Sequence, residues 1–202
     1  MKKTAAIIPC LLNRDNTVSA GIASIGSMIA AAGKEHLWDE RKEPAFDTVV
    51  IHYISAASAS APFAIGPILE TLCKYDVSSH YLISRRGRVY QLVPEDKKAW
   101  HAGGSIMPEP DNRQGVNEFS VGIELAATAL SGFTLTQYRA LFFLCADMEK
   151  RHNRKFIYTG HESVAGERAV ALGLRKDIKS DPGPLFDWER FIRELETARR
   201  SS

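Results

Sequence analysis

Cysteine is scarce in this chain and does not fall into pairs. Cys10, Cys73 and Cys145 are odd in number, widely spaced and form no C-x-x-C, so no disulfide framework is expected. Cys73 and Cys145 sit inside apolar helical patterns and read as small buried hydrophobes. An excess of one charge is also missing: 26 Lys and Arg against 24 Asp and Glu leave a net +2, which gives no electrostatic reason to expect nucleic acid. No apolar run is long enough to span a bilayer, because residues 17–33 are short and rich in Ser, Gly and Ala. Lys2-Lys3 followed by Thr4 to Leu12 begins like a signal peptide, but Pro9 breaks the run and Asn13-Arg14-Asp15-Asn16 stops it. Pro9 is also a poor residue before a processed lipoprotein cysteine, so the chain is read as starting at Met1. Internal repeats and low-complexity tracts are lacking as well.

What is present is an ordinary globular composition, 45% hydrophobic and 25% charged over 202 residues. That length is enough to bury one full core. Residues 1–35 read as an N-terminal extension, with Val18, Ile22, Ile25, Ile29 and Ala32 forming the stripe of a packed amphipathic helix over 17–33. A polar connection, 34–44, carries Trp38 as its large anchor. Thr48 to Ile54 is β-branched and almost continuously apolar, a strand buried on both faces, interrupted by His52. A loop over 55–62 and a helix over 67–75 follow. Ser78 to Ser84 and Arg88 to Val93 then pair as a hairpin around Arg85-Arg86-Gly87, whose arginines are expected in solvent.

Residues 94–118 show little regular structure. A loop of that length in a compact domain is functional or disordered, and Trp100-His101 before Gly103-Gly104 favours a ligand-contacting rim. Phe119 to Leu125 is a strand, apolar except for Ser120 and Glu124. A carboxylate in such a strand needs a partner: it is either salt-bridged to an arginine or kept at a raised pKa for acid–base work. Thr136 is expected to cap a helix to Arg151, with Tyr138, Leu141, Phe142, Cys145 and Met148 on its apolar face. Phe156 to Thr159 is a short strand that ends at Gly160-His161, and 162–178 is an insertion-like, partly helical segment. Asp187 caps a last helix with Trp188, Phe191, Ile192 and Leu195 inward.

Between those two elements lies Lys179-Ser180-Asp181-Pro182-Gly183-Pro184, a stiff turn that holds a carboxylate and an ammonium two residues apart. A lone histidine in a strand is more often a satisfied core residue than a ligand. Two strand-end histidines, His52 and His161, together with Asp181 make an N- and O-donor set with a fourth position open, which suits catalytic zinc. Glu124 would handle the proton and Lys179 the developing oxyanion, and the parts amount to metal-assisted amide hydrolysis. No local motif such as H-E-x-x-H ties these residues together.

Val49-Val-Ile-His52-Tyr, Ser79-His80-Tyr-Leu-Ile83, Ala99-Trp-His-Ala-Gly103, Ser120-Val-Gly-Ile-Glu124-Leu, Thr159-Gly-His161 and Asp181-Pro-Gly-Pro184 occur in an order that resembles the type 2, zinc-dependent N-acetylmuramoyl-L-alanine amidases, the AmpD-like branch above all. The resemblance spans about residues 36–193. It implies an α/β (α+β) fold with a mixed central sheet flanked by helices, an amidase domain over 36–202, and cleavage of the amide between N-acetylmuramic acid, or its 1,6-anhydro form, and L-alanine. His52, His161 and Asp181 match the zinc ligands, Glu124 the acid–base residue and Lys179 the cation. His80, Trp100 and His101 match positions that contact substrate or orient a ligand. The connection between His161 and Lys179 is longer than in AmpD-like enzymes, which leaves anhydro-muropeptide and intact peptidoglycan both open as substrate. A peptidoglycan-binding module that has lost the metal is the rival reading, and it typically lacks the third ligand. The lack of a convincing export signal points to the cytoplasm, with the cell envelope or phage delivery as the alternative.

Overall fold

The computed structural model describes residues 6–201. The first residues of the leader-like stretch, including Lys2 and Lys3, lie outside that range. Eight strands occur in chain order, β1 (Ile7–Pro9), β2 (Trp38–Glu40), β3 (Thr48–Ile54), β4 (Tyr81–Ile83), β5 (Val89–Gln91), β6 (Lys97–Ala99), β7 (Ser120–Ala126) and β8 (Ile157–Gly160). The helices are α1 (Ile25–Ala31), α2 (Ile65–Tyr75), α3 (Leu135–Arg151), α4 (His161–Val164), α5 (Glu167–Ala171) and α6 (Trp188–Ser201), with one 3-10 turn at Val116–Phe119. Six strands form a mixed sheet in the order β1-β5-β4-β7-β3-β8, and β2 pairs with β6 in a small antiparallel sheet. All pairs of the main sheet are parallel except β4 with β5.

Side-chain alternation along β3 and β7 sorts the two faces of the sheet. Val49, Ile51, Val121, Ile123 and Leu125 point into a core shared with α3 and α6, where Leu141, Leu144, Met148, Phe191 and Leu195 meet them. The other face of the sheet carries Val50 and Leu82. It is covered in two places, by α1, α2 and the segment around Leu12 and Leu37, and by the 102–119 loop with Val164 and Ala165. The expected mixed sheet flanked by helices is therefore present, and β3 is an interior strand, one in from the β8 edge, with its first five residues buried. No helix among the described residues is long and apolar enough to cross a membrane.

Several local expectations change. The N-terminal helix is only seven residues long. Ser24 caps it, accepting from Ser27 N–H at 3.1 Å, and Ile22 lies outside it, 99% exposed. Ile7–Pro9 add an edge strand to the main sheet. Helix α3 is capped by Thr134 rather than Thr136: Thr134 and Gln137 satisfy each other's backbone in a capping box, a T-x-x-Q signal that outcompetes the isolated Thr136. On α6, Asp187 accepts from Arg190 N–H at 2.8 Å as expected, and Phe191 and Leu195 are buried, but Ile192 sits at the edge of the stripe and is exposed. The strands of the β4–β5 hairpin are shorter than expected, and Arg85 is not a solvated tip residue. Its guanidinium donates to Gly132 C=O at 2.5 Å and lies over the Phe63 ring. The 94–118 region contains β6 and leads into the 3-10 turn, and its pairing with β2 anchors it.

A buried carboxylate joins this hairpin to α3. Glu95 accepts from Tyr81 Oη at 2.6 Å, from both terminal nitrogens of Arg151 at 2.6 and 2.9 Å, and from His152 Nε2 at 2.7 Å. Burial alone would raise its pKa, but those donors outweigh it and hold Glu95 at about 2. An unfolded Glu95 titrates near 4.5, so the folded value is depressed; the stabilisation is full above 4.5 and is lost as pH falls towards 2. In urea unfolding between about pH 5 and pH 2.5, the protein is expected to lose on the order of 2 kcal/mol more stability than Glu95→Gln. Parallel pH curves for the two proteins would contradict this.

Candidate metal centre and cleft

The site lies on the sheet face away from α3 and α6, at the C-terminal ends of three neighbouring parallel strands. Register places His52 of β3 directly opposite Glu124 of β7. On the other side of β3, Ile51 pairs with Gly160, so His161, the next residue and the first of α4, comes up beside His52. Asp181 is brought in by backbone bonds: Glu162 N–H donates to its carbonyl at 2.8 Å, and Lys179 N–H donates to Ala165 C=O at 3.0 Å.

The three expected metal ligands converge. His52 Nδ1 lies 3.1 Å from Asp181 Oδ2, and His161 Nδ1 lies 3.1 Å from both carboxylate oxygens. One donor atom from each of His52, His161 and Asp181 falls within a 4.8 Å group, and both histidines are buried. Burial, followed by the proximity of His161, lowers His52 to about 4 despite Asp181 beside it, so its imidazole is neutral at pH 7 and has a lone pair to give. Two imidazoles and a carboxylate, with no thiolate, fit a divalent ion of borderline softness. His161 Nε2 is buried without a hydrogen-bond partner, so no contact within the protein occupies that nitrogen.

Glu124 is the other orphan. Its Oε2 is buried with no partner, and among the described residues no arginine pairs with it. Burial, then the Asp181 charge, pushes its pKa well above the ordinary carboxylate range, with Lys179 opposing. Of the two readings of a carboxylate in this strand, the structure supports the raised pKa rather than the salt bridge. Lys179 is exposed and lines the same cleft, a cavity of about 380 Å³ that also has Trp100, His101, Asn117 and Arg175 in its wall.

Of the three residues expected to contact substrate or orient a ligand, Trp100 lies at the rim. Its Nε1–H donates to Asp39 Oδ2 at 2.9 Å, and Lys34, itself bonded to Asp76, stands over the indole. His101 is not on a flexible rim: it is buried, with Nδ1 3.0 Å from His52 Nε2. Its backbone is held by Asn117 Oδ1, which accepts from His101 N–H and Ala102 N–H at 3.2 and 2.8 Å. His80 does not line the cleft. It is fully buried; its Nδ1 accepts from Gly122 N–H at 3.0 Å and its Nε2–H donates to Lys97 C=O at 3.0 Å. Both ring nitrogens are thus used to join β7 to β6, and burial lowers its pKa to about 3, which keeps it neutral.

Three contributors carry no recognisable sequence signal. Arg41, in the polar connection before β3, donates to Asn117 C=O at 3.0 Å and to Glu118 and Ser120 C=O at 2.7 Å each, so it staples the 3-10 turn beside the site. Asn117 sits in a stretch without periodicity. Arg175 comes from the long 162–178 connection, which packs against the other wall so closely that a Cβ on Gly104 would stand 1.9 Å from Leu174 O.

Comparison with known proteins places this geometry. The family model described as N-acetylmuramoyl-L-alanine amidase matches residues 41–184. The 1,6-anhydro-N-acetylmuramyl-L-alanine amidase AmpD of Enterobacter cloacae is 38% identical over 133 residues, 65% of this chain and 64% of that protein. The Haemophilus influenzae AmpD is 31% identical over 171 residues, 77% of this chain and 86% of its own. Among solved structures, an AmpD selenomethionine derivative superposes with a TM-score of 0.60 at 34% identity, covering 78% of this chain and 89% of that one. AmiD from E. coli, solved in complex with the substrate anhydro-N-acetylmuramic acid-L-Ala-D-γ-Glu-L-Lys, gives 0.57 at 30% identity over 74% of this chain and 57% of that one. The chain thus spans a little under two thirds of the first AmpD's length. With the match extending from Arg41 to Pro184 and enclosing His52, His161 and Asp181, this chain belongs to the N-acetylmuramoyl-L-alanine amidase family.

Proposed function

We propose that this protein is a zinc-dependent amidase that hydrolyses the bond between the lactyl group of N-acetylmuramic acid and the L-alanine of a peptidoglycan stem peptide, with a 1,6-anhydro-muropeptide as its substrate. The observation that carries the reading is the convergence of His52, His161 and Asp181 beside a buried carboxylate, Glu124, whose Oε2 has no partner in the protein. The names of the AmpD relatives and the AmiD complex with an anhydro-muropeptide support the choice of substrate.

His52, His161 and Asp181 hold the zinc, and zinc held there supplies Lewis-acid polarisation of the scissile carbonyl and a water of near-neutral pKa. Glu124, buried and raised in pKa, takes the proton of the attacking water on Oε2 and returns it to the leaving alanine nitrogen as the C–N bond breaks. Lys179, exposed on the cleft wall, places its ammonium where negative charge develops on the carbonyl oxygen. The Trp100 indole, pinned by Asp39 and Lys34, offers a fixed apolar surface to the substrate. His101 and His80 act from beneath, through His52 and the β7 backbone respectively.

Mass spectrometry of products, with and without a chelator, tests the reading on an anhydro-muropeptide and on intact peptidoglycan. Chelator-sensitive release of stem peptide from the first alone is expected, and would accord with cytoplasmic recycling. Release from the polymer would move the activity to wall remodelling or lysis, and release from neither by a zinc-loaded protein would favour a binding module. Glu124→Ala is expected to keep its zinc and lose about 10²- to 10⁴-fold in kcat. An active, zinc-replete variant would remove Glu124 from the mechanism. Asp181→Ala should emerge from dialysis with its fold intact and its zinc content near zero; a stoichiometric ion would take Asp181 out of the ligand set.

A further inference from the structure

The sequence places a serine and a glycine at alternate positions of β7 before Glu124, so Ser120, Gly122 and Glu124 share the face that carries the site. Gly122 leaves room for a ring: a Cβ there would lie 2.5 Å from His101 Cγ and 2.8 Å from its Nδ1. The His101 imidazole therefore lies flat on the β7 backbone, between Ser120 on one side and His52 on the other.

The contacts along this line have a direction set by their far end. Val116 C=O can only accept, and Ser120 Oγ donates its one proton to it at 2.6 Å. Ser120 Oγ is then left with lone pairs towards His101 Nε2, 3.2 Å away, so that nitrogen carries the proton. A neutral His101 protonated on Nε2 has a bare Nδ1, which accepts from His52 Nε2 at 3.0 Å. His52 is thereby protonated on Nε2, and its bare Nδ1 faces Asp181 Oδ2 at 3.1 Å. Two acceptors at that distance repel each other unless a cation lies between them. The geometry points to a relay, Val116 carbonyl to Ser120 to His101 to His52, that fixes the tautomer of His52 so that Nδ1 is the nitrogen offered to the metal. Ser120 and His101 are positioning residues for the metal centre, and Gly122 is the space they need.

The assignment rests on the proposed metal site only at its last link, and the experiment separates the two. Long-range ¹H–¹⁵N correlation spectra of histidine-labelled protein should show His101 protonated on Nε2 in both metal-free and zinc-loaded forms, and His52 bound to zinc through Nδ1. Zinc affinity, measured by competition with a chromophoric chelator, should fall about 10- to 100-fold in Ser120→Ala and in His101→Leu. His101→Asn, whose amide oxygen can stand in for Nδ1, should stay within about threefold of the parent. Circular dichroism and thermal unfolding identify any variant that has not folded, and the spectra of the unmodified protein decide the matter if His101→Leu has not. His101 protonated on Nδ1, His52 ligating through Nε2, or an unchanged zinc affinity in Ser120→Ala would each overturn the relay. A protein that binds no zinc would overturn the proposed function instead, and the His101 tautomer would still decide the relay.

Discussion

The structure depends on the register of three parallel strands. β8, β3 and β7 stand side by side so that His52 faces Glu124 across one ladder, and the chain leaves β8 at His161 beside it. Strand alternation has a period of two, so a slip of one residue would carry His52 and Glu124 into the apolar core and bring Ile51 and Ile123 to the cleft. The same residues that hold β3 and β7 against α3 and α6 therefore also aim the chemistry. Packing on one face and function on the other are a single constraint.

Burial then sets the electrostatics. Beside the site that face is covered by the 102–119 loop, which supplies Asn117 for the backbone at His101, while β7 itself supplies Ser120 for its ring. Arg41 adds three nitrogen-to-carbonyl bonds around the 3-10 turn and a fourth to Glu95, and burial lowers its own pKa to about 10 without neutralising it. Low polarity favours a neutral His52 imidazole with a lone pair to offer, and it raises the pKa of Glu124, which makes its carboxylate a stronger base. Within this hydrogen-bonded frame, Glu124 Oε2 and His161 Nε2 are buried without a partner in the protein.

The connection from His161 to Lys179 builds part of the cleft. It contains α4 and α5, lays Leu174 on Gly104, and directs Arg175 into the cleft. Asp181 is tied back to the start of this connection, its carbonyl accepting from Glu162 N–H. The connection thus supplies one wall of the cleft beside His52, His161 and Asp181.

Much of this was legible in the residues themselves. The β-branched run through His52, the polar interruptions in the 119–125 strand and the Asp-Pro-Gly-Pro turn are local signals, and each named its element because side-chain period and turn chemistry act over a few residues. The capping box at Thr134 was equally readable, and choosing Thr136 overlooked it. What sequence could not reveal was which polar side chains would end up under the site and which inside it. Trp100, His101 and His80 look alike as motif positions, yet one is a rim, one supports a ligand and one joins two strands. Arg41 and Asn117 lie in stretches without periodicity and matter only through backbone carbonyls and amides brought to them by other elements. The sequence alone determined the elements and the donor types, because those follow from local sterics and hydrogen-bonding capacity. Tertiary structure decided exposure, partner and tautomer, because these depend on groups that meet only after strands distant in sequence have paired.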